Sequence, residues 1–159
     1  MSGKNFFAAI IVLLYSLFFM GCSMESDPVI YDNHGKQVQL SKLQGKWVLI
    51  NFWADWCAAC KMEVGELNSF SAHSSGKDYV LYGIDVDKST PESQDDSIQT
   101  AGVLFPVLRQ NPGSDWGLTP VQAIPTTVII DPDGRVVKTL VGPRSERSLL
   151  EEIEALKTS

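Results

Sequence analysis

Long apolar runs separated by polar turns dominate the central part of the chain. The run WVLINFW, Trp47 to Trp53, is almost entirely apolar and rich in β-favouring residues, which is typical of a strand buried on both faces. Tyr79 to Val86 and Thr126 to Ile130 have the same character and predict two further strands. The turn sequence DPDG at residues 131–134 leads into Val136 to Leu140, so the last two strands form a predicted hairpin.

Helix-forming patterns lie between and after these strands. Ala58 to about His73 predicts a helix directly after the first long strand. Ser89 to Glu92 combines hydroxyl caps with an early proline, and it predicts a mostly polar surface helix that ends near Gly102. Ser145 caps a last helix that reaches about Leu156. The apolar side of the first helix is expected to contain Met62, Leu67 and Phe70.

The segments around this core complete the predicted topology. Val29 to Tyr31 and Gln37 to Leu40 flank an Asx/Gly turn, which predicts a small N-terminal hairpin. Phe105 to Leu108 predicts a short strand or extended piece, and the following loop contains at most one helical turn. The element order ββ, βαβα and ββα therefore predicts an α/β domain, with a mixed sheet and helices on both of its faces.

Composition and charge narrow the functional classes. The chain has 159 residues, of which 44% are hydrophobic and 20% charged, and this suits one packed domain. Its net charge of −6 argues against general nucleic-acid binding, because phosphate contacts need clustered Lys and Arg. The sequence has neither such a cluster nor a glycine-rich phosphate loop, so no nucleic-acid partner is expected.

The N-terminus differs from the rest of the chain. Phe6 to Met20 is apolar apart from Ser16 and follows a single Lys, which indicates a secretory signal. The stretch FFMGCS resembles a bacterial lipoprotein signal and implies that Cys22 is lipidated. An uncleaved anchor and ordinary secretion are the alternatives. The predicted organisation is a signal or anchor at 1–22, a tether at 23–28 and a domain at 29–157, outside the cytoplasm in the cell envelope.

The remaining two of the three cysteines form a C-x-x-C pair. Cys57 falls where a buried strand gives way to a helix, and free N–H groups at a helix start favour a thiolate. Cys60 follows one turn later, where it can resolve a mixed disulfide. A metal site would need further ligands, and the chain offers only His34, His73 and Cys22. We therefore expect redox exchange without metal or cofactor, and retain a metal site and an inert buried pair as alternatives.

The segment VLINFWADWCAACKME resembles the active site of thioredoxin-fold proteins. The complete pattern resembles the TlpA/ResA-type family of membrane-tethered, extracytoplasmic thiol–disulfide oxidoreductases, through YGIDVD, FPVL, AIPTTVIIDPDGRV and VGP as well. The likeness covers about Val29 to Leu156. It implies a thioredoxin fold with an N-terminal β-hairpin and a central insertion, roughly residues 87–122, between the second and third core strands.

The resemblance also implies roles for individual residues. Ile124-Pro125-Thr126 matches the cis-proline loop, which packs against the cysteines and pairs its backbone with the substrate. Glu63 matches a glutamate that tunes the cysteine pKa values or relays a proton, although a solvated glutamate on the helix surface is the alternative. Trp56 is expected to contact the substrate.

The sequence departs from the family in two places. Ala58-Ala59 stands between the cysteines where reducing relatives often have a proline, and Gly65 replaces a proline two residues after Glu63. Asn51 also stands where cytoplasmic thioredoxins carry a buried Asp, and Asn does not titrate. Because the dipeptide between the cysteines helps to set thiolate stability, its change leaves the redox potential open.

The expected function is reduction of protein disulfides, such as those of apocytochrome c, with electrons from a membrane-embedded thiol donor. An oxidase or isomerase is the alternative within the same chemistry. A non-catalytic metal-binding lipoprotein is the alternative from another class. A peroxidase is disfavoured, because the chain lacks the proline- and threonine-bearing peroxidatic cysteine motif of that family.

Overall fold

The computed structural model describes residues 27–74 and 76–158. The predicted signal or anchor at 1–22, the lipidation site Cys22 and most of the tether lie outside the described residues. Within the described part of the chain, no helix combines the length and apolar character needed to cross a bilayer.

Nine helices and strands make up the described chain, together with two short 3-10 turns at Leu40–Leu43 and Gly113–Trp116. The elements in chain order are β1 (Ile30–Tyr31), β2 (Gln37–Val38), β3 (Trp47–Trp53), α1 (Ala58–His73), β4 (Tyr79–Asp85), α2 (Pro91–Ala101), β5 (Thr126–Ile130), β6 (Val136–Val141) and α3 (Glu146–Lys157). Every core strand and helix predicted from the sequence is present, within a residue or two at its ends. The N-terminal strands are shorter than predicted, and β2 ends at Val38 because the chain turns into a 3-10 helix at Leu40.

The central sheet has four strands in the order β4-β3-β5-β6. Strand β3 pairs parallel to β4 and antiparallel to β5, and β6 pairs antiparallel to β5. In this register Asn51 in the middle of β3 lies between Gly83 of β4 and Thr127 of β5. All seven residues of β3 are buried, as the apolar run predicted for a central strand.

The N-terminal hairpin joins the sheet through the inserted segment. Val107 forms a parallel bridge to Gly83 of β4, and Leu108 forms an antiparallel bridge to Asp32. The amide of Asn33 donates to the carbonyl of Val107 over 2.8 Å. Residues 105–108 are therefore the extended piece that the sequence predicted, and they connect the hairpin to the edge of β4.

The two faces of the sheet carry separate apolar clusters. One face packs Leu49, Leu81 and Ile129 against α1 and α3, and this cluster includes both cysteines. The other face packs against the hairpin and the 3-10 segments. The expectation of α-helices on both faces is wrong, since among the described residues no α-helical side chain belongs to the second cluster. Helix α2 buries the polar residues Gln94 and Ser97, and its partly buried Ile98 and Ala101 pack against the first cluster.

A second correction concerns α1. Met62 was expected on its apolar side but is 72% exposed. The buried residues of α1 recur at helical spacing as Cys60, Glu63, Val64, Leu67 and Phe70. Met62 lies off this stripe, and a charged residue, Glu63, takes the place that an apolar one was expected to hold.

Candidate active site

The Cys57–Cys60 pair lies at the start of α1, directly after the loop that follows β3. Cys57 is the N-cap of the helix, and its sulfur accepts a hydrogen bond from the amide of Cys60 over 3.1 Å. The two residues form a disulfide, with their Cα atoms 5.2 Å apart. The predicted position of the pair, at a strand-to-helix junction with Cys60 one turn after Cys57, is confirmed.

This position favours negative charge on Cys57 after reduction. The first N–H groups of a helix lack intrahelical partners, and the helix dipole adds partial positive charge at that end. Asp55 stands two residues before Cys57, and its negative charge works against a thiolate there. In the structure its carboxylate pairs with the ammonium of Lys88 over 3.6 Å, so a positive charge partly offsets it.

The proline loop has the predicted conformation. The peptide bond between Ile124 and Pro125 is cis, which confirms that expectation. The carbonyl of Pro125 accepts from the amide of Gly142 over 2.8 Å, which fastens the loop to the end of β6. Thr126 is buried, and its hydroxyl donates to the carbonyl of Ala123 over 2.8 Å. The substrate contact predicted for Thr126 therefore has no exposed side chain to support it, and it stays a prediction.

A surface groove of about 600 Å³ opens beside Cys57. Trp56 forms one wall, is 64% exposed, and donates its indole N–H to the carboxylate of Asp87. Among the described residues, none exchanges a backbone hydrogen bond with Ile124. The groove lining is uncharged and consists of Trp56, Cys57, Ala58, Ala59, Val86, Val121, Gln122, Ala123 and Ile124.

Glu63 is enclosed rather than solvated. It is 2% exposed, Oε1 accepts from Nδ2 of Asn51 over 2.9 Å, and Oε2 accepts from the amide of Arg144 over 2.8 Å. Burial raises the pKa of Glu63, while these two donors and the positive charge of Arg144 oppose the rise. The alternative of a surface glutamate is excluded. A buried carboxyl with a raised pKa is suited to proton exchange.

Sequence reasoning missed several of these residues. Arg144 follows the VGP motif directly, but nothing in that motif indicates that its amide binds Glu63. Asp87, Val121 and Gln122 belong to the insertion, whose course depends on tertiary contacts, and Ala123 follows it directly. Within the described part of the chain, no three His, Cys, Asp or Glu side chains are grouped to hold a metal ion.

A C-x-x-C disulfide at a helix start, beside a cis-proline loop and on this mixed sheet, defines the thioredoxin-fold thiol–disulfide oxidoreductases. The sequence profile of the AhpC/TSA family matches residues 23–139. The chain belongs to that family.

Individual relatives agree with the assignment. The thiol-disulfide oxidoreductase ResA of Bacillus subtilis (strain 168) is 30% identical over 129 residues, which cover 81% of this chain and 72% of ResA. The exposed lipoprotein thioredoxin Etrx1 of Streptococcus pneumoniae strain TIGR4 is 27% identical with a TM-score of 0.67, covering 82% of this chain and 99% of Etrx1. StoA from Bacillus subtilis has a TM-score of 0.66 at 20% identity, covering 82% and 98%, which supports the fold.

These matches confirm the predicted family resemblance, fold class and enzymatic character. The protein is a thiol–disulfide oxidoreductase of the ResA and thioredoxin type, and its substrates are proteins that carry disulfides.

Proposed function

We propose that this oxidoreductase works as a reductant outside the cytoplasm, held at the membrane by a lipid on Cys22. It passes electrons from a membrane-embedded thiol donor to substrate disulfides, with apocytochrome c as one such substrate. The observation that carries the redox chemistry is the Cys57–Cys60 disulfide at the N-terminus of α1, beside an open groove. The apolar N-terminal run and the likeness to a lipoprotein thioredoxin support the location.

The reaction has two exchange steps. In the reduced protein, the thiolate of Cys57 attacks one sulfur of the substrate disulfide, which forms a mixed disulfide and releases the other substrate sulfur as a thiolate. The thiolate of Cys60 then attacks Cys57, which restores the intramolecular disulfide and releases the second substrate thiolate. Two electrons move to the substrate, whose two thiolates take up protons. The thiol donor reverses the change on the enzyme.

The groove is suited to an extended substrate segment. Its uncharged lining favours apolar or small side chains next to the substrate cysteine, and Trp56 supplies a broad aromatic wall. The unpaired backbone of Ile124 can exchange main-chain hydrogen bonds with such a segment, as in strand addition. Pro125 and Thr126 hold this loop against the end of the sheet.

Glu63 serves as the proton relay for Cys60. Residues three apart on a helix are neighbours on its surface, so the carboxyl lies one turn beyond the resolving cysteine. Cys60 must lose its proton before it attacks the mixed disulfide, and a buried carboxylate is the nearby base that can accept it.

The reduction potential tests the direction of electron flow. A value near that of thioredoxin, about −270 mV, supports a reductant, and a value near about −120 mV supports the alternative, an oxidase. The Ala58-Ala59 dipeptide is the feature that keeps the alternative open, because reducing relatives often carry a proline there. Refolding of a scrambled disulfide substrate separates an isomerase from both.

Substitutions test the chemistry and the anchor separately. Cys57→Ser should abolish reduction of insulin disulfides, and retention of full activity by this variant would refute the redox mechanism. Cys22→Ser is the matched control, since it should leave insulin reduction unchanged while the protein leaves the membrane fraction. A metal analysis of the purified protein tests the metal-binding alternative.

Trapping identifies the substrate. Cys60→Ala removes the resolving sulfur, so a mixed disulfide between Cys57 and a substrate should persist. Recovery of an apocytochrome c in this complex would support the proposed substrate. Recovery of other proteins alone would refute it and identify those proteins as the substrates.

A further inference from the structure

The ionised form of Glu63 has both oxygens matched by donors. Oε1 faces the side-chain amide of Asn51 and Oε2 faces the main-chain amide of Arg144. A protonated carboxyl differs, because its O–H is a donor that needs an acceptor. A residue that takes up and releases a proton in this enclosure therefore needs a neighbour able to change from donor to acceptor.

Asn51 is the neighbour that can make this change. Its Nδ2 donates to Oε1 of Glu63 over 2.9 Å and contacts Oγ1 of Thr127 over 3.1 Å. Its own Oδ1 is buried and has no hydrogen-bond partner among the described residues. Asn51 is 1% exposed and Thr127 is fully buried, and the two face each other across β3 and β5.

We propose that Asn51 is a positioning residue whose side-chain amide reverses when Glu63 takes up a proton. With Glu63 ionised, Nδ2 faces the carboxylate. With Glu63 protonated at Oε1, the amide turns by half a rotation, and Oδ1 accepts from Glu63 and from the hydroxyl of Thr127. This inference rests on the proposed relay, in which the proton released by Cys60 arrives on Glu63. No covalent bond of Asn51 changes.

The two orientations of the Asn51 amide differ little in free energy. Because no residue in the described part of the chain bonds Oδ1, turning the amide breaks no third hydrogen bond there, and it exchanges one unpartnered polar group for another. Burying an unpartnered polar group is unfavourable for donors and acceptors alike, so the two orientations carry similar penalties. The terminal torsion of Asn is broad and roughly two-fold, and the hydroxyl of Thr127 serves as donor or acceptor by rotation.

The other groups around Glu63 cannot take this role. The amide of Arg144 belongs to the main chain between β6 and α3, so it cannot present an oxygen in the same place. The guanidinium of Arg144 donates to the carbonyl of Val141 and lowers the pKa of Glu63, whereas burial raises it. Cys60 precedes Glu63 on the same helix and is held in the disulfide in the oxidised protein.

NMR on the oxidised, isotope-labelled protein tests the reversal, because the cysteines do not titrate in that form. The carboxyl carbon of Glu63 reports its protonation, and nuclear Overhauser contacts between the Nδ2 hydrogens of Asn51 and the methyl group of Thr127 report the orientation. These contacts should be strong above the pKa of Glu63 and at least several-fold weaker below it. Contacts that stay constant through the titration of Glu63 would overturn the proposal.

A stability measurement adds a second test. The measured quantity is the equilibrium constant for folding. If Asn51 serves both protonation states of Glu63, Asn51→Leu should lower this constant by the same factor one pH unit above and one pH unit below the pKa of Glu63. If Asn51 only donates, the loss caused by Asn51→Leu should be about tenfold or more smaller at the lower pH than at the higher pH. Asn68→Leu is the matched control, since Asn68 bonds Gly102 and Leu104 away from Glu63.

These tests are independent of enzymatic turnover. The oxidised protein performs no reduction in either measurement, so an error about the direction of electron flow leaves both outcomes unchanged. Conversely, an Asn51 amide that keeps one orientation would refute the proposed reversal. It would not affect the reduction potential or the insulin assay, which test the proposed function.

Discussion

Gly83 lies in the middle of β4, where the absence of a side chain lets three buried groups approach the backbone. A Cβ atom there would lie 2.9 Å from Cε2 of Phe105, 3.0 Å from Nε1 of Trp53 and 3.2 Å from Cγ2 of Val107. Overpacking a dense core costs about 1–3 kcal/mol, and replacing glycine in a strand returns about 0.5–1 kcal/mol of entropy. Because the closest of these contacts is 2.9 Å, we take the upper part of the overpacking range, about 2–3 kcal/mol, so Gly83→Ala should lower the free energy of unfolding by about 1–2.5 kcal/mol.

Chemical denaturation of the oxidised protein measures this change, with the denaturant dependence unchanged and the midpoint lowered. Gly65→Ala is the matched control, because a Cβ atom at this exposed position of α1 has no neighbour within 4 Å. It should raise the free energy of unfolding by up to about 1 kcal/mol. A Gly83→Ala variant as stable as the parent would refute the inference that Trp53 and Phe105 pack too closely against Gly83 to admit a side chain.

Three further outcomes follow from the site and the helix caps. Burial raises the pKa of Glu63 above its ordinary 4.5. Between the unfolded and the folded pKa, the folded state therefore holds a proton that the unfolded state has lost, and the free energy of unfolding falls as pH rises through this range. The stability advantage of Glu63→Gln, measured by denaturation, should accordingly grow with pH there. Asp87→Ala should increase the mobility of the Trp56 indole, seen by ¹⁵N relaxation, and change stability by less than about 0.5 kcal/mol. Ser145→Ala removes the cap on the amide of Ser148 and should cost about 1 kcal/mol in thermal or chemical unfolding.

The elements that sequence reasoning located correctly are those that local pattern determines. The apolar run of β3 can be buried only between two strands and two layers, so its position in the sheet follows from composition. Cys57 precedes the first helical residue because the strand ends at Trp53 and helical spacing begins after it. Ser145 and Thr90 both act as side-chain caps, as their residue types predicted.

The features that sequence reasoning missed depend on contacts between distant parts of the chain. Glu63 and Arg144 are 81 residues apart, and the amide that binds the carboxyl carries no side-chain signature. The covering of the second sheet face relies on Trp116 and Leu118, which lie in a segment with no regular period. Met62 was assigned inward because it is apolar, although the helical stripe is completed by Glu63.

Hydrogen bonds around Asp85 hold the groove and the loop before Cys57 in position. Asp85 ends β4 and is buried, and its Oδ1 accepts from the amides of Asp87 and Lys88 over 3.0 Å and 3.2 Å. Its Oδ2 accepts from the hydroxyl of Ser97 in α2 over 2.6 Å. Because Asp87 then binds Trp56 and Lys88 pairs with the loop before Cys57, the position of that loop is set from the sheet and from α2. Substitution of Asp85 should therefore disturb the groove more than any single exposed residue on its rim.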